Sequence, residues 1–126
     1  MRFTVPISTY ISFETVLRDA GIIFQHYTII FMAGPWPETL KVDTCTFTFR
    51  RLKDEILFNP IGTVFKDNYS IASLERAFLD TIYLFPNYHF DNVSSLDWEK
   101  CFELAPMYKN KQMMKRLYAY HKNYAQ

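Results

Sequence analysis

Three histidines, two cysteines and 13 carboxylates are the groups from which this sequence of 126 residues can build a reactive centre. His26, His89 and His121 lie far apart, and none has a second histidine or a carboxylate at the spacing a metal ligand set needs. Cys45 and Cys101 belong to no CxxC or Cys/His pattern and read as two buried thiols of a cytosolic protein. There is no GxSxG, no catalytic cysteine signature and no acidic cluster of the kind that holds two metals. Asp54 and Glu55 are adjacent, so their side chains diverge, and they read as a solvated turn. Gly21, Gly34 and Gly62 are isolated from one another, which excludes the clustered-glycine loops that cradle phosphates. The expectation is a non-enzymatic domain with no catalytic, metal-ligating or cofactor-binding residues.

Three polar groups are candidates for binding. Glu75, Arg76, Asp80 and Tyr83 fall at helical spacing, with Arg76 and Asp80 four apart on one face. They are either a structural set paired within the fold or a polar ridge offered to a partner. Arg50, Arg51 and Lys53 follow a run of alternating residues; alternation places Arg51 on the apolar side, where it is expected to be partly buried and paired to Asp80 or Glu75. Lys111, Lys115, Arg116 and Lys122 are interleaved with Met113, Met114, Leu117 and Tyr118, the pattern of a helix with one buried face and a basic one. Such a helix either keeps its lysines in solvent or meets nucleic-acid phosphates or an acidic surface. Trp36, Tyr88 and Phe90 are candidate exposed contacts in loops.

The elements that must position these groups follow from local pattern. Ser12 is expected to cap a helix over residues 13–20 that ends at Gly21. Tyr27–Met32 reads as a buried strand closed by the prolines at 35 and 37. Leu40–Arg51 reads as one half-buried strand, with Cys45, Phe47 and Phe49 on one face and Thr44, Thr46 and Thr48 on the other. Short strands are expected at Ile56–Phe58 and Thr63–Phe65. Ser73 caps the strongest helix, whose apolar positions run from Leu74 to Phe85 before Pro86. A loop over 86–95, a short helix over Leu96–Leu104 broken by Pro106, and a last helix over Lys109–Asn123 complete the chain. Strands first and helices after, without βαβ alternation, predict an α+β fold: a small antiparallel or mixed sheet with helices packed against it and a helical C-terminal part.

Composition agrees with one globular domain spanning 1–126. Apolar residues make up 49%, charged residues 21%, and aromatics 18% through 12 Phe, 9 Tyr and 2 Trp. The net charge of +1 hides an asymmetry, because every residue carrying charge after Glu103 is basic. Ala20–Pro37 carries no charge, but Gln25, His26, Gly34 and the two prolines argue against a membrane span. A cytoplasmic location without membrane attachment is expected.

Three stretches together resemble a known family: Tyr10-Ile-Ser-Phe-Glu-Thr-Val-Leu with Gly21-Ile-Ile; Phe47-Thr-Phe-Arg-Arg-Leu-Lys with Leu57-Phe58; and Tyr69-Ser-Ile-Ala-Ser-Leu-Glu-Arg-Ala-Phe-Leu-Asp-Thr-Ile-Tyr. They are similar to the region that follows the winged helix in AbiEi-type antitoxins of type IV, abortive-infection toxin–antitoxin systems. The resemblance runs from Pro6 to Pro86, with residues 1–9 as a lead-in and 87–126 carrying helical character but no shared motif. It implies an α/β domain tied to antitoxicity and, as partner, a nucleotidyltransferase-like toxin. Arg50, Arg51, Glu75, Arg76, Asp80 and Tyr83 are the matching motif residues. Only nine residues precede Tyr10, so promoter binding by the family's winged helix is not carried over. A naturally short antitoxin, a separately encoded half and the second domain of a longer protein all stay open. Leu74 stands where the family often has proline, and Arg51 where it often has histidine, which replaces a titratable group by a permanent cation. The alternative function is a nucleic-acid-binding or regulatory domain using the basic final helix.

Overall fold

A computed structural model describes residues 9–23 and 28–124. Its elements are β1 (Tyr10–Ile11), α1 (Glu14–Asp19), β2 (Ile29–Gly34), β3 (Glu38–Val42), β4 (Cys45–Arg51), α2 (Asp54–Leu57), β5 (Thr63–Lys66), β6 (Tyr69–Ala72), α3 (Leu74–Leu84), α4 (Trp98–Leu104), a 3₁₀ turn (Ala105–Tyr108) and α5 (Lys111–Tyr124). Six strands form one mixed sheet in the order β3-β4-β2-β1-β6-β5. The β1–β6 and β2–β4 pairs are parallel, the β1–β2, β3–β4 and β5–β6 pairs antiparallel. With helices packed around this sheet, the fold is α+β.

Helix α3 is the centre of the molecule. Ser73 holds an extended backbone and its Oγ accepts from the Arg76 N–H at 3.2 Å, satisfying one free donor of the first turn. Phe85 leaves the helical region just before Pro86, which disfavours a helical predecessor. Every residue from Glu75 to Ile82 is buried, since α1, α4, α5 and β6 all pack on α3. The helix therefore has no solvent face over most of its length.

Local chemistry explains the departures from expectation. Leu40–Arg51 is not one strand but the β3–β4 hairpin, turning at Asp43-Thr44 with Asp43 at φ 57°, a left-handed conformation that Asp tolerates. Ile56 lies in helix α2, not in a strand; Asp54 and Glu55 occupy its first turn, where acids favour the helix dipole, and three apolar residues alone do not separate helix from strand. Pro106 does not stop the chain's coiling: it sits in the first turn of the 3₁₀ segment, where its missing N–H costs nothing, and Lys109 at φ 49° ends that segment. Strands β1 and β6 have two and four residues, too few for alternation to reveal them. Residue Tyr27 of the expected strand, and His26, lie outside the described residues.

Ser12 does not cap α1. Its Oγ donates to Asp80 instead, and Phe13 takes the cap position at φ 57°, ψ −138°. A bulky residue there is strained, so its neighbours must hold it. Ser12 is tied to Asp80, Glu14 to Arg50, and the Phe13 ring is wholly buried.

The cysteines differ from each other, contrary to the expectation of two buried thiols. Cys45 begins β4 beside the hairpin turn and is exposed, whereas Cys101 is buried on α4. Burial, aided by Glu75 and Asp97, pushes the Cys101 thiol up to about 12. Ellman titration of the native protein is expected to read one thiol per chain and, after denaturation, two; two fast-reacting thiols in the native state would contradict the packing of α4.

Candidate functional site

The motif of α3 closes a buried polar network. Arg76 and Asp80 are both fully enclosed. Arg76 Nε and Nη2 donate to the Tyr10 hydroxyl at 3.2 and 3.1 Å, and that hydroxyl donates to Asp80 Oδ2 at 2.8 Å. The remaining guanidinium hydrogens go to backbone carbonyls: Nη2 to Ile56 at 2.8 Å, Nη1 to Asn59 at 2.5 Å and to Ile61. All five donors of the planar fork are thus used. Asp80 also accepts from Ser12 Oγ at 2.7 Å and from Tyr108 Oη at 2.6 Å. Among the described residues, no buried side-chain nitrogen or oxygen lacks a partner.

The arrangement joins distant segments. It ties β1, the α2–β5 loop, α3 and the 3₁₀ turn to a single pair of opposite charges, bridged through Tyr10. Gly62, at φ 82°, lets the loop approach: a Cβ there would lie 3.2 Å from Arg76 Cβ and 3.2 Å from Leu104 Cδ1. Burial raises the Asp80 carboxyl, while Arg76 and the three hydroxyl donors pull it back. Burial and the Asp80 charge hold the Tyr10 and Tyr108 hydroxyls well above the usual tyrosine range. Both remain neutral in the folded state while the unfolded chain ionises near pH 10. Stability from these two groups is therefore full below about pH 10 and falls as pH rises beyond it. A urea midpoint that drops above that pH, less steeply in Tyr108→Phe, is the expected result; an unchanged slope in the variant would count against it.

A second pairing also differs from expectation. Arg51 is exposed and is not the partner of Asp80 or Glu75. Arg50 is the cation turned inward: its Nη1 and Nη2 contact Glu14 Oε1 and Oε2 at 2.5 and 3.1 Å, and Glu14 is only 4% exposed. The guanidinium also lies over the rings of Phe13, Phe31 and Phe85, at 5.0, 4.3 and 4.8 Å from their centroids. Arg51, the final residue of β4, is the one left in solvent. Glu75 serves a different partner, accepting the Asp97 N–H at 3.1 Å where α4 begins. Tyr83 is half-buried against the Tyr108 ring at 5.4 Å. No polar ridge formed by Arg76 and Asp80 reaches the surface.

The basic helix is divided. Lys111, Lys115 and Lys122 are exposed, but Arg116 donates from Nη1 to the carbonyls of Ile82 and Tyr83, both at 3.0 Å, at the C-terminal end of α3. That cation satisfies carbonyls that have no partner within their own helix. Of the loop aromatics, Trp36 is exposed, Tyr88 is half-buried and Phe90 is fully buried against Phe78 at 4.8 Å, so Phe90 offers no contact surface. Asp54 and Glu55 are solvent-exposed.

The exposed apolar residues around β5 had no signal in the sequence. Val64 and Phe65 of the edge strand β5 are 58% and 72% exposed, and Phe58, Ile61 and Tyr69 lie close to them in sequence and are exposed as well. Among the described residues, no three His, Cys, Asp or Glu side chains are grouped to hold a metal ion. No helix among them is long and apolar enough to cross a membrane.

The fold and these sites define an α+β domain whose charged motif residues lie mostly inside. Comparison with family models, curated proteins and solved structures finds no match.

Proposed function

We propose that this chain is a non-enzymatic antitoxin-type domain that counters a nucleotidyltransferase-like toxin. One observation carries the reading. The three stretches that resemble AbiEi-type antitoxins, far apart in sequence, are direct polar partners in space: Tyr10 and Ser12 of the first meet Arg76 and Asp80 of the third, and Glu14 of the first meets Arg50 of the second. Residues shared with a family are most informative when they form one cooperative unit, because each is then needed to hold the others.

A partner has to meet other residues, since Arg76 and Asp80 are enclosed. The β5 edge is the favoured surface, because it combines an open strand with Phe65, Val64 and Ile61 in solvent. Co-expression with a nucleotidyltransferase encoded beside this chain's gene tests the reading: growth is expected to be rescued, and Phe65→Asp is expected to abolish rescue while the protein stays folded. Failure of the unmodified chain to rescue overturns the antitoxin reading. Rescue that survives Phe65→Asp overturns only the choice of surface.

A further inference from the structure

The face formed by α5 and the 86–89 segment holds an open groove of about 490 Å³. Its floor and walls carry Lys115, Arg116, His89, Asn87, Gln112 and Tyr124. No Asp or Glu lines it. The nearest carboxylate in sequence to this wall, Asp91, is turned to His89 at 3.5 Å.

The groove is built and held rather than formed by loose side chains. Tyr120 Oη donates to the Tyr88 carbonyl at 2.5 Å, fastening the 86–89 segment to α5. Arg116 is anchored by one nitrogen, Nη1, to two carbonyls of α3, so its position is fixed. Tyr124 stacks on Tyr120 with ring centroids 5.8 Å apart and planes 23° from parallel, which presents an ordered aromatic face. Lys115 is exposed and makes no ion pair among the described residues. Lys111 and Lys122 extend the basic line along α5 over about 16 Å of helix.

From this we infer that the α5 groove binds single-stranded nucleic acid, with Lys115 and Arg116 taking a phosphate and Tyr124 taking a base face. Charge complementarity names the occupant: an anchored arginine and an exposed lysine meet a repeated anion, and the amides of Asn87 and Gln112 supply hydrogen bonds beside an aromatic platform. A duplex fits less well, because its bases are stacked inward and cannot enter a concave groove. This inference is independent of the antitoxin reading; growth rescue does not report on it.

Fluorescence anisotropy with a labelled oligouridylate or oligothymidylate of about 12 nucleotides tests it. Binding at low salt is expected, with log Kd rising against log salt at a slope of about 2, as for roughly three neutralised phosphates. Lys115→Glu is expected to weaken binding by about tenfold or more, and Tyr124→Ala by about tenfold. Lys66→Glu, an exposed lysine outside the groove, is expected to have little effect. No binding at low salt would overturn the inference. So would equal losses from Lys115→Glu and Lys66→Glu, a duplex bound as tightly as the single strand, or a free mononucleotide that binds as tightly as the strand.

Discussion

Arg76→Met is expected to lower the free energy of unfolding by about 3–5 kcal/mol, a large part of the stability of a domain this size. Three losses combine. The carbonyls of Ile56, Asn59 and Ile61 lose their donor, the Tyr10 hydroxyl loses two donors, and Asp80 is left as a buried carboxylate without a cation. Met matches much of the volume, so the loss reads out polar partners rather than a cavity. Arg76→Lys should recover little, because an ammonium cannot serve carbonyls and a hydroxyl in the directions a planar fork reaches. In Arg76→Met/Asp80→Asn the loss should be smaller than the sum of the single changes, since the neutral amide no longer needs the cation. Urea unfolding followed by Trp fluorescence gives these values; Trp98, in edge contact with Phe78 on α3, reports on this part of the core. A loss below about 1 kcal/mol for Arg76→Met would mean the network is not what holds the loop to the helix.

Arg50→Met is expected to cost about 2–3 kcal/mol, whereas Arg51→Met, one residue along the same strand, stays within about 0.5 kcal/mol. Glu14 is buried and bound to both terminal nitrogens of Arg50; without that cation it keeps, among the described residues, only the Tyr88 hydroxyl at 3.4 Å. The three phenylalanine rings around the guanidinium lose a cation held over their faces. The estimate is below that for Arg76 because the Arg50 side chain is 20% exposed, so water offsets part of the loss. Glu14→Gln should cost less than Arg50→Met. A double-mutant cycle over Glu14 and Arg50 should give a coupling of at least about 1 kcal/mol. Equal effects at Arg50 and Arg51 would refute the inward placement of Arg50.

The contrast between these two arginines marks the boundary of sequence reading. Alternation along Cys45–Arg51 predicts one buried face, but Cys45 on that face is exposed and Thr46, Phe47 and Thr48 are all half-buried, so alternation does not say which side is covered at the end of the strand. Phe49 is buried, yet Arg51, two residues on along the same side, reaches solvent. Arg50, on the other side, meets Glu14 at the start of α1 and the Phe85 ring just past α3. The hairpin at Asp43, the helical state of Asp54–Leu57 and the strands β1 and β6 were hidden for a related reason. Each is short, and its state is set by what it packs against rather than by its own period.

Elements with strong local signals are legible before folding: the α+β class, the α3 helix with its Ser73 cap and its end before Pro86, the 86–95 loop and the basic final helix. Those signals are local because caps, prolines and helical periodicity act within a few residues. The roles of the charged side chains come from long-range packing. Arg76 and Asp80 became enclosed, Arg116 became a cap for α3, and Lys115 became part of a groove whose other wall is supplied by residues 86–89. A charge costs much when buried and little when solvated, so its role depends on every surface brought around it, and only the folded chain fixes those surfaces.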